Sequence, residues 1–513
     1  MRRLVPWIMA ASLMLPGLAL PGAALAEGCT DPLSATPRLT AEALDLDALR
    51  GFYHDPASCV WNDADGATLQ AVLGKLDEDG LDPEQYHAAA LSQRATPADE
   101  AGAAERDLLL TDAALAYAQT MVVGRVDPAM LSDQIHFPRP PYDPADGLRA
   151  ALGTGGLAAW LVQLAPPDSQ YAALKQALVQ YRALPDWQPV QAPADGKAIE
   201  LGTHHPVIPA VKQRLVLEGE LAAADADDQL AGPVVEALKH FQRRHGLNPD
   251  GRLGRFSFVA LNTARTDRVG QIIANLERRR QVARLLPPTR IEVNVAAASL
   301  AVWHEGQIAS TMRTVVGDPE HQTPMLISSI RDIEVNPPWL VPSSIQRKEL
   351  MPKIRRDPDY LAKNEMYFEH GQLIQSPGEK NSLGHLKFEF PNPFSVYLHD
   401  TPSRHLFARE VRDLSHGCVR LEHPLELAQT LLAVEKPDSI QEKIATGETS
   451  HMRLPVAMPV AVLYWTAFAE DDGTIDFRED VYQRDARLLT ALRAPRRPVV
   501  GTAASCTGAC QNI

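Results

Sequence analysis

The sequence predicts a multidomain α plus β protein, and three observations carry that prediction. Apolar residues recur at helical spacing through residues 27–200, and a shorter helical unit with its own turn glycines occupies 201–263. Beyond Arg290 the period changes to strict alternation, the mark of half-buried strands. At 513 residues the chain exceeds one ordinary core, and about 150 residues per domain gives roughly three units.

Composition narrows the function classes. The hydrophobic share of 45% and charged share of 22% are those of a globular protein, and the 41 prolines cluster between predicted elements. Formal net charge is −14, or −16 once Arg2 and Arg3 leave with a leader, so general polyanion binding has no electrostatic support and nucleic acid is excluded as a partner.

Met1 to Ala26 carries two arginines, an apolar run from Leu4 to Leu20, and small residues at Ala24 and Ala26, which reads as a signal peptide cleaved before Glu27. Pro16, Gly17 and Pro21 interrupt a run already short of the about 20 apolar residues that a membrane span needs. An uncleaved leader is the alternative and would keep the chain near a membrane. In an exported protein, four of the five cysteines invite pairing. Nearness in sequence suggests Cys29 with Cys59 and Cys506 with Cys510, among three connectivities, and leaves Cys418 as the odd thiol.

In residues 27–200, Leu110, Ala114, Tyr117 and Met121 share a helical face that Gly124 ends, and Tyr171, Leu174, Leu178 and Tyr181 repeat the pattern. These stripes read as core. In 201–263, Val234, Leu238 and Phe241 occupy one face, Gly246 ends the helix, and Asp250-Gly251 turns into a short helix ending near Leu261. His204, His205, His240 and His245 lack a tight ligand pattern and are expected at the surface or in a groove. A short basic helix with Arg278, Arg279 and Arg280 follows, read as a solvated linker face.

The third unit, 288–440, begins with Ile291, Val293 and Val295 on one side of a strand. Leu300 and Val302 follow, and Glu305-Gly306 turns into a strand from Ile308 to Val316. From Pro342 to Gly384 the strand pattern stops and a polar helix appears around Arg347 to Ile354. This is an expected lid over a cleft, with Arg347, Lys348, Lys353, Arg355 and Arg356 available to peptide carboxylates. Strands resume at Lys387 to Phe390 and at Ser395 to His399. Pro424 starts a helix with Leu427, Leu431 and Val434 on one face, and residues 441–513 hold a last apolar strand around Val460 to Trp465 and a loose tail from Ala494.

The chemistry concentrates between His399-Asp400-Thr401-Pro402 and Ser415-His416-Gly417-Cys418-Val419-Arg420. An imidazole beside a thiol can activate it as a nucleophile. Alternation puts Tyr397 and His399 on one strand face, and leaves Cys418 beside Arg420 while Val419 and Leu421 turn inward. Gly417 removes a side chain before the thiol, so that the backbone N–H groups of Gly417 and Cys418 could receive an oxyanion. His416 is either a second imidazole that helps hold the thiolate or a structural member of the loop, and the supporting role is assigned to it. His399, His405, His416, Cys418 and His423 offer only one thiol and no short paired spacing, so neither a metal nor another cofactor is expected.

The order His399, a polar loop, then Ser415-His416-Gly417-Cys418-Val419-Arg420 resembles the L,D-transpeptidase (YkuD) family of peptidoglycan cross-linking enzymes. Gly317-Asp318-Pro319, Thr323-Pro324 and Asn336-Pro337-Pro338-Trp339 resemble turns of that fold. Phe241 to Gly251 resembles the small peptidoglycan-binding domain, a three-helix bundle, and Phe52-Tyr53-His54 with Trp61 is similar to the scaffold region of larger family members. The resemblance implies a helical scaffold, a three-helix wall-binding unit and a mostly-β catalytic domain with a helical lid. It implies Cys418 as nucleophile, His399 as general base oriented by the Asp400 carbonyl, and Tyr397, Asp400, Ser415 and Arg420 about the substrate. The implied reaction moves a tetrapeptide stem through a thioester onto a second stem, as a 3→3 cross-link, in a periplasmic monomer whose partners are stem peptides and glycan. Delivery to water or to a lipoprotein lysine, and a non-catalytic wall-binding protein, are the alternatives.

Overall fold

The computed structural model of the chain describes residues 31–53, 59–432, 438–470 and 472–496. The expected leader, Cys29, Cys506, Cys510 and Val434 lie outside them. Cys59 is disulfide-bonded, to a partner outside the described residues, and Cys418 is a free thiol.

The N-terminal part is helical and built on α1 (Glu100–Val123), which is buried on nearly every side. Asp99 caps it by accepting from Gly102 N–H at 2.8 Å. Leu110, Ala114, Tyr117 and Met121 are all core, as is the stripe on α2 (Ser169–Ala183). The second unit has three helices, α3 (Ile208–Leu217), α4 (Pro233–Arg244) and α5 (Arg255–Asn262), around Val211, Leu215, Leu238, Phe241 and Leu261. His245 is not a surface residue. It is buried and stacked on Phe241 at 3.9 Å, where burial pushes its pKa far down and keeps the ring neutral.

The expected solvated linker is overturned. Residues 265–282 form one helix, α6 (Arg265–Val282), in which Arg278, Arg279 and Arg280 are all buried. Arg278 pairs with Asp485 at 2.5 Å and Arg279 with Asp168 at 3.1 Å. Arg280 donates to Glu277, the Asp79 carbonyl and the Tyr171 hydroxyl at 2.9 to 3.0 Å. A charge run reads as solvated only while its partners are unknown: Arg278 and Arg279 find carboxylates far along the chain, and Arg280 finds Glu277 one turn away and distant oxygens at Asp79 and Tyr171.

The third unit is a closed sheet. Its strands include β1 (Ile135–His136), β2 (Arg290–Asn294), β3 (Ser299–His304), β4 (Gln307–Gly317) and β5 (Met325–Val335). Next come β6 (Trp339–Leu340), β7 (Met366–Glu369), β8 (Gln372–Gln375), β9 (Leu386–Glu389), β10 (Leu398–His399), β11 (Asp413–Ser415), β12 (Val419–Leu421) and β13 (Ser450–Leu463). The order β5-β13-β2-β3-β4-β12-β10-β9 returns to β5 through the β5–β9 pairing, with β1 on β5 and β11 on β4. The interior holds Ile291, Val293, Leu300, Val419, Leu421 and Val462. A division at 440 fails, because β13 is the longest strand and lies between β5 and β2. Beyond it, β14 (Ala467–Ala469) and β15 (Ile475–Phe477) pack into the N-terminal core.

The insertion differs from the expected strandless segment. It carries β7 and β8, which pair with β6 as a three-stranded sheet over Val341, Leu350, Met366 and Leu373. Its helical part is a π-helical turn, Gln346–Leu350, running into α7 (Met351–Arg356).

Candidate active site

Strand register brings the thiol and the imidazole together. Parallel pairing sets Leu398 opposite Val419 and His399 opposite Arg420, with Val419 N–H donating to the Tyr397 carbonyl at 3.1 Å. Leu398 and Val419 point into the barrel core, so Tyr397, His399, Cys418 and Arg420 share the other face, as alternation requires. The regular part of the His399 strand is shorter than expected, being only Leu398–His399.

His399 is buried, and its Nδ1 lies 2.5 Å from the Asp400 carbonyl oxygen. A carbonyl can only accept, so Nδ1 carries the proton and Nε2 presents a lone pair. Burial, reinforced by the Arg420 and Lys387 charges, pushes the imidazole pKa down to about 3, against the pull of the Asp400 and Leu383 carbonyls. The Tyr397 ring sits edge-on to His399 at 5.6 Å, and its hydroxyl hydrogen-bonds the Cys418 thiol. Burial pushes that thiol up, opposed by Tyr397 and by the positive charges of Arg420 and Lys387. The resting pair is therefore a neutral thiol and a neutral imidazole.

Several expected roles are corrected. Ser415 is buried, and its Oγ donates to the Cys418 carbonyl at 2.6 Å and accepts from Gly417 N–H at 3.1 Å. It holds the turn, and Gly417 N–H is committed to its Oγ. Gly417 is needed for its backbone, with φ at 110°. His416 is engaged away from the strand face of the thiol. Its Nε2 meets Glu349 of the insertion at 2.6 Å and its ring lies 4.9 Å from that of His321. Asp400 is buried, and its carboxylate accepts from His385 N–H, Thr401 N–H and Arg404, each at 2.7 to 2.8 Å. Its contribution is the backbone carbonyl on His399. Arg420 remains on the cleft face, and among the described residues its Nε has no partner.

Sequence reasoning missed the supports of the turn. Thr323 Oγ1 donates to the Gly417 carbonyl at 2.9 Å and accepts from Gly317 N–H at 2.8 Å, and both atoms are buried. Lys387 lies 4.8 Å over the Tyr397 ring, held by Glu334 at 3.1 Å and by Glu389. The resemblance of Thr323-Pro324 to a family turn was the available signal for Thr323, and nothing local marked Lys387.

Comparison with known proteins bears on the same segment. Residues 288–460 match the model of the L,D-transpeptidase catalytic domain. Over those residues the chain is similar to the YkuD family of L,D-transpeptidase catalytic domains. Residues 204–261 match the model of a peptidoglycan-binding domain and residues 47–178 that of a scaffold domain. A curated Haemophilus influenzae protein, provisionally named an L,D-transpeptidase, is 28% identical over 251 residues, or 44% of this chain. The match spans about half, 51%, of that relative. Two solved L,D-transpeptidases also align. That of Mycobacterium smegmatis has 17% identity over 34% of this chain and 57% of its own, with a TM-score of 0.19. That of Stackebrandtia nassauensis has 12% identity over 54% and 97%, with a TM-score of 0.21. Scores that low carry no further argument. That match includes β13 up to residue 460, and Cys418 lies within it.

Among the described residues, His204, Asp227 and Asp228 bring three potential metal-ligand atoms within 4.8 Å of one another, on the solvent side of the second unit. No described helix is long and apolar enough to cross a membrane.

Proposed function

We propose that this chain is an exported peptidoglycan L,D-transpeptidase that forms 3→3 cross-links through a thioester on Cys418. The observation that carries the reading is the free thiol of Cys418 on the same face as a neutral imidazole whose Nδ1 is pinned by the Asp400 carbonyl. Sγ attacks the carbonyl of the diaminopimelate L-centre in a tetrapeptide stem while its proton passes to His399 Nε2. The Cys418 N–H receives the oxyanion, since Gly417 N–H is occupied. Collapse breaks the amide, D-alanine leaves with the proton from His399, and the thioester remains. A side-chain amine of a second stem then attacks, His399 takes its proton and returns it to Sγ, and the new amide is released. Outside the cytoplasm no ATP drives amide formation, and the thioester conserves the energy of the amide it replaced.

The test is product analysis with purified full-length protein and disaccharide-tetrapeptides. Dimers linked 3→3, with a covalent adduct at Cys418 that Cys418→Ala abolishes, are expected. Tripeptide alone would make the chain a carboxypeptidase, and no adduct would overturn the reading.

A further inference from the structure

The insertion carries five exposed cations between Arg347 and Arg356: Arg347, Lys348, Lys353, Arg355 and Arg356. Among the described residues none of them has a carboxylate partner, because the neighbouring acids serve other groups. Asp357 and Asp359 pair with Lys363, Glu365 pairs with Lys380, and Glu349 meets His416. Five uncompensated like charges on one short helical segment repel each other, in a chain whose overall charge is −14. The segment is nevertheless fixed in place. Leu350 is buried in the insertion's core, and Glu349 reaches the catalytic turn two residues from Cys418, at 2.6 Å from His416.

We propose that this segment is the binding site for the free carboxylates of a peptidoglycan stem peptide, an inference that rests on the transpeptidase reading. The chemistry is that of an acidic peptide bearing two or more carboxylates, met by guanidinium and ammonium groups on the insertion whose Glu349 touches the turn that carries the thiol. A membrane surface fits less well. A helix that lies on lipid exposes an apolar face, whereas here Leu350 is buried and Ile345 and Ile354 pack against the insertion's own core.

The experiment reads equilibrium binding, by fluorescence anisotropy, in full-length Cys418→Ala protein so that no turnover occurs. The probes are a labelled tetrapeptide stem with free carboxylates and its amidated counterpart. The free acid is expected to bind about ten-fold more tightly than the amide. That preference should collapse in a variant with all five cations replaced by Gln. It should also collapse in the parent on the order of 0.5 M salt, where screening is nearly complete beyond about 5 Å. An equal preference in parent and variant overturns the proposal, as does a preference that salt leaves intact. Loss of binding to anionic phosphatidylglycerol vesicles in the variant, with the peptide preference retained, overturns it in favour of a lipid surface. Because binding is read without catalysis, a wild-type protein that forms no thioester would sink the transpeptidase reading and leave this measurement standing.

Discussion

Cys418 and His399 share one face of the sheet as two neutral groups, and that has measurable consequences. The thiol is raised by burial and the imidazole lowered by it, so neither group ionises spontaneously near neutral pH. Difference absorbance at 240 nm between wild type and Cys418→Ala should show no thiolate at pH 7, with the signal rising only in alkali. A full thiolate signal at pH 7 would mean a resting ion pair. Tyr397 donates to the sulfur, and its hydrogen bond favours the thiolate. Tyr397→Phe should slow acylation by about ten-fold at most, the worth of one hydrogen bond of roughly 1 kcal/mol. His399 also links pH to stability. Its folded pKa of about 3 lies below the unfolded value, so the unfolded chain binds the proton first as pH falls. Stability is complete above about pH 6.5 and declines from there towards pH 3, by about 2 kcal/mol at pH 5. His399→Gln should lose less stability than wild type between pH 7 and pH 5 in denaturant titrations, and an equal loss would contradict a buried neutral ring.

At the scale of the element, the catalytic turn is held from three sides. Ser415 closes it internally, Thr323 ties Gly417 to Gly317, and the π-helical turn Gln346–Leu350 meets it through Glu349. The Thr323 hydroxyl serves one buried donor and one buried acceptor, so Thr323→Val should cost about 2 to 3 kcal/mol in a denaturant titration and slow acylation with it. Glu349→Gln should behave differently. Its pair with His416 is partly exposed, so stability should change by less than about 1 kcal/mol. The insertion should instead be cut faster by protease, and an unchanged cleavage rate would show that this contact does not hold it. The placement of Cys418 and His399 on one face was legible because alternation about Val419 and Leu398 is a local pattern. The roles of Ser415, Gly417 N–H and the Asp400 carboxylate were not legible. Those polar groups are committed by hydrogen bonds whose partners become neighbours only once the turn has closed, and a motif shows which residues are present without showing which atoms are already occupied.

For the whole molecule, α6 is the part that sequence reading placed most wrongly, and it is the part that joins the units. A window around residues 278–280 holds three arginines and no hint of Asp168 or Asp485, which lie on the two sides of it in sequence. In the fold, α6 packs Ile272 and Leu276 into the N-terminal core, while Asn275 accepts from Thr466 N–H at 3.2 Å, just beyond β13. β14 and β15 return to that same core, so the C-terminal segment clasps what α6 connects. Arg280 is the innermost charge, compensated by Glu277, which also accepts from Val126 N–H at 2.8 Å. Replacing Arg280 with Met would leave the Glu277 carboxylate buried without its cation, a loss of about 3 to 5 kcal/mol. If the helical part and the catalytic sheet were independent bodies, calorimetry of Arg280→Met would show only the helical transition moving. Because α6 carries contacts to both, the transition of the catalytic sheet is expected to shift down as well, and the acylation rate at Cys418 to fall at temperatures where wild type is still fully active. A shift confined to one transition, with acylation unchanged, would show that the helix is packed against the catalytic domain without supporting it.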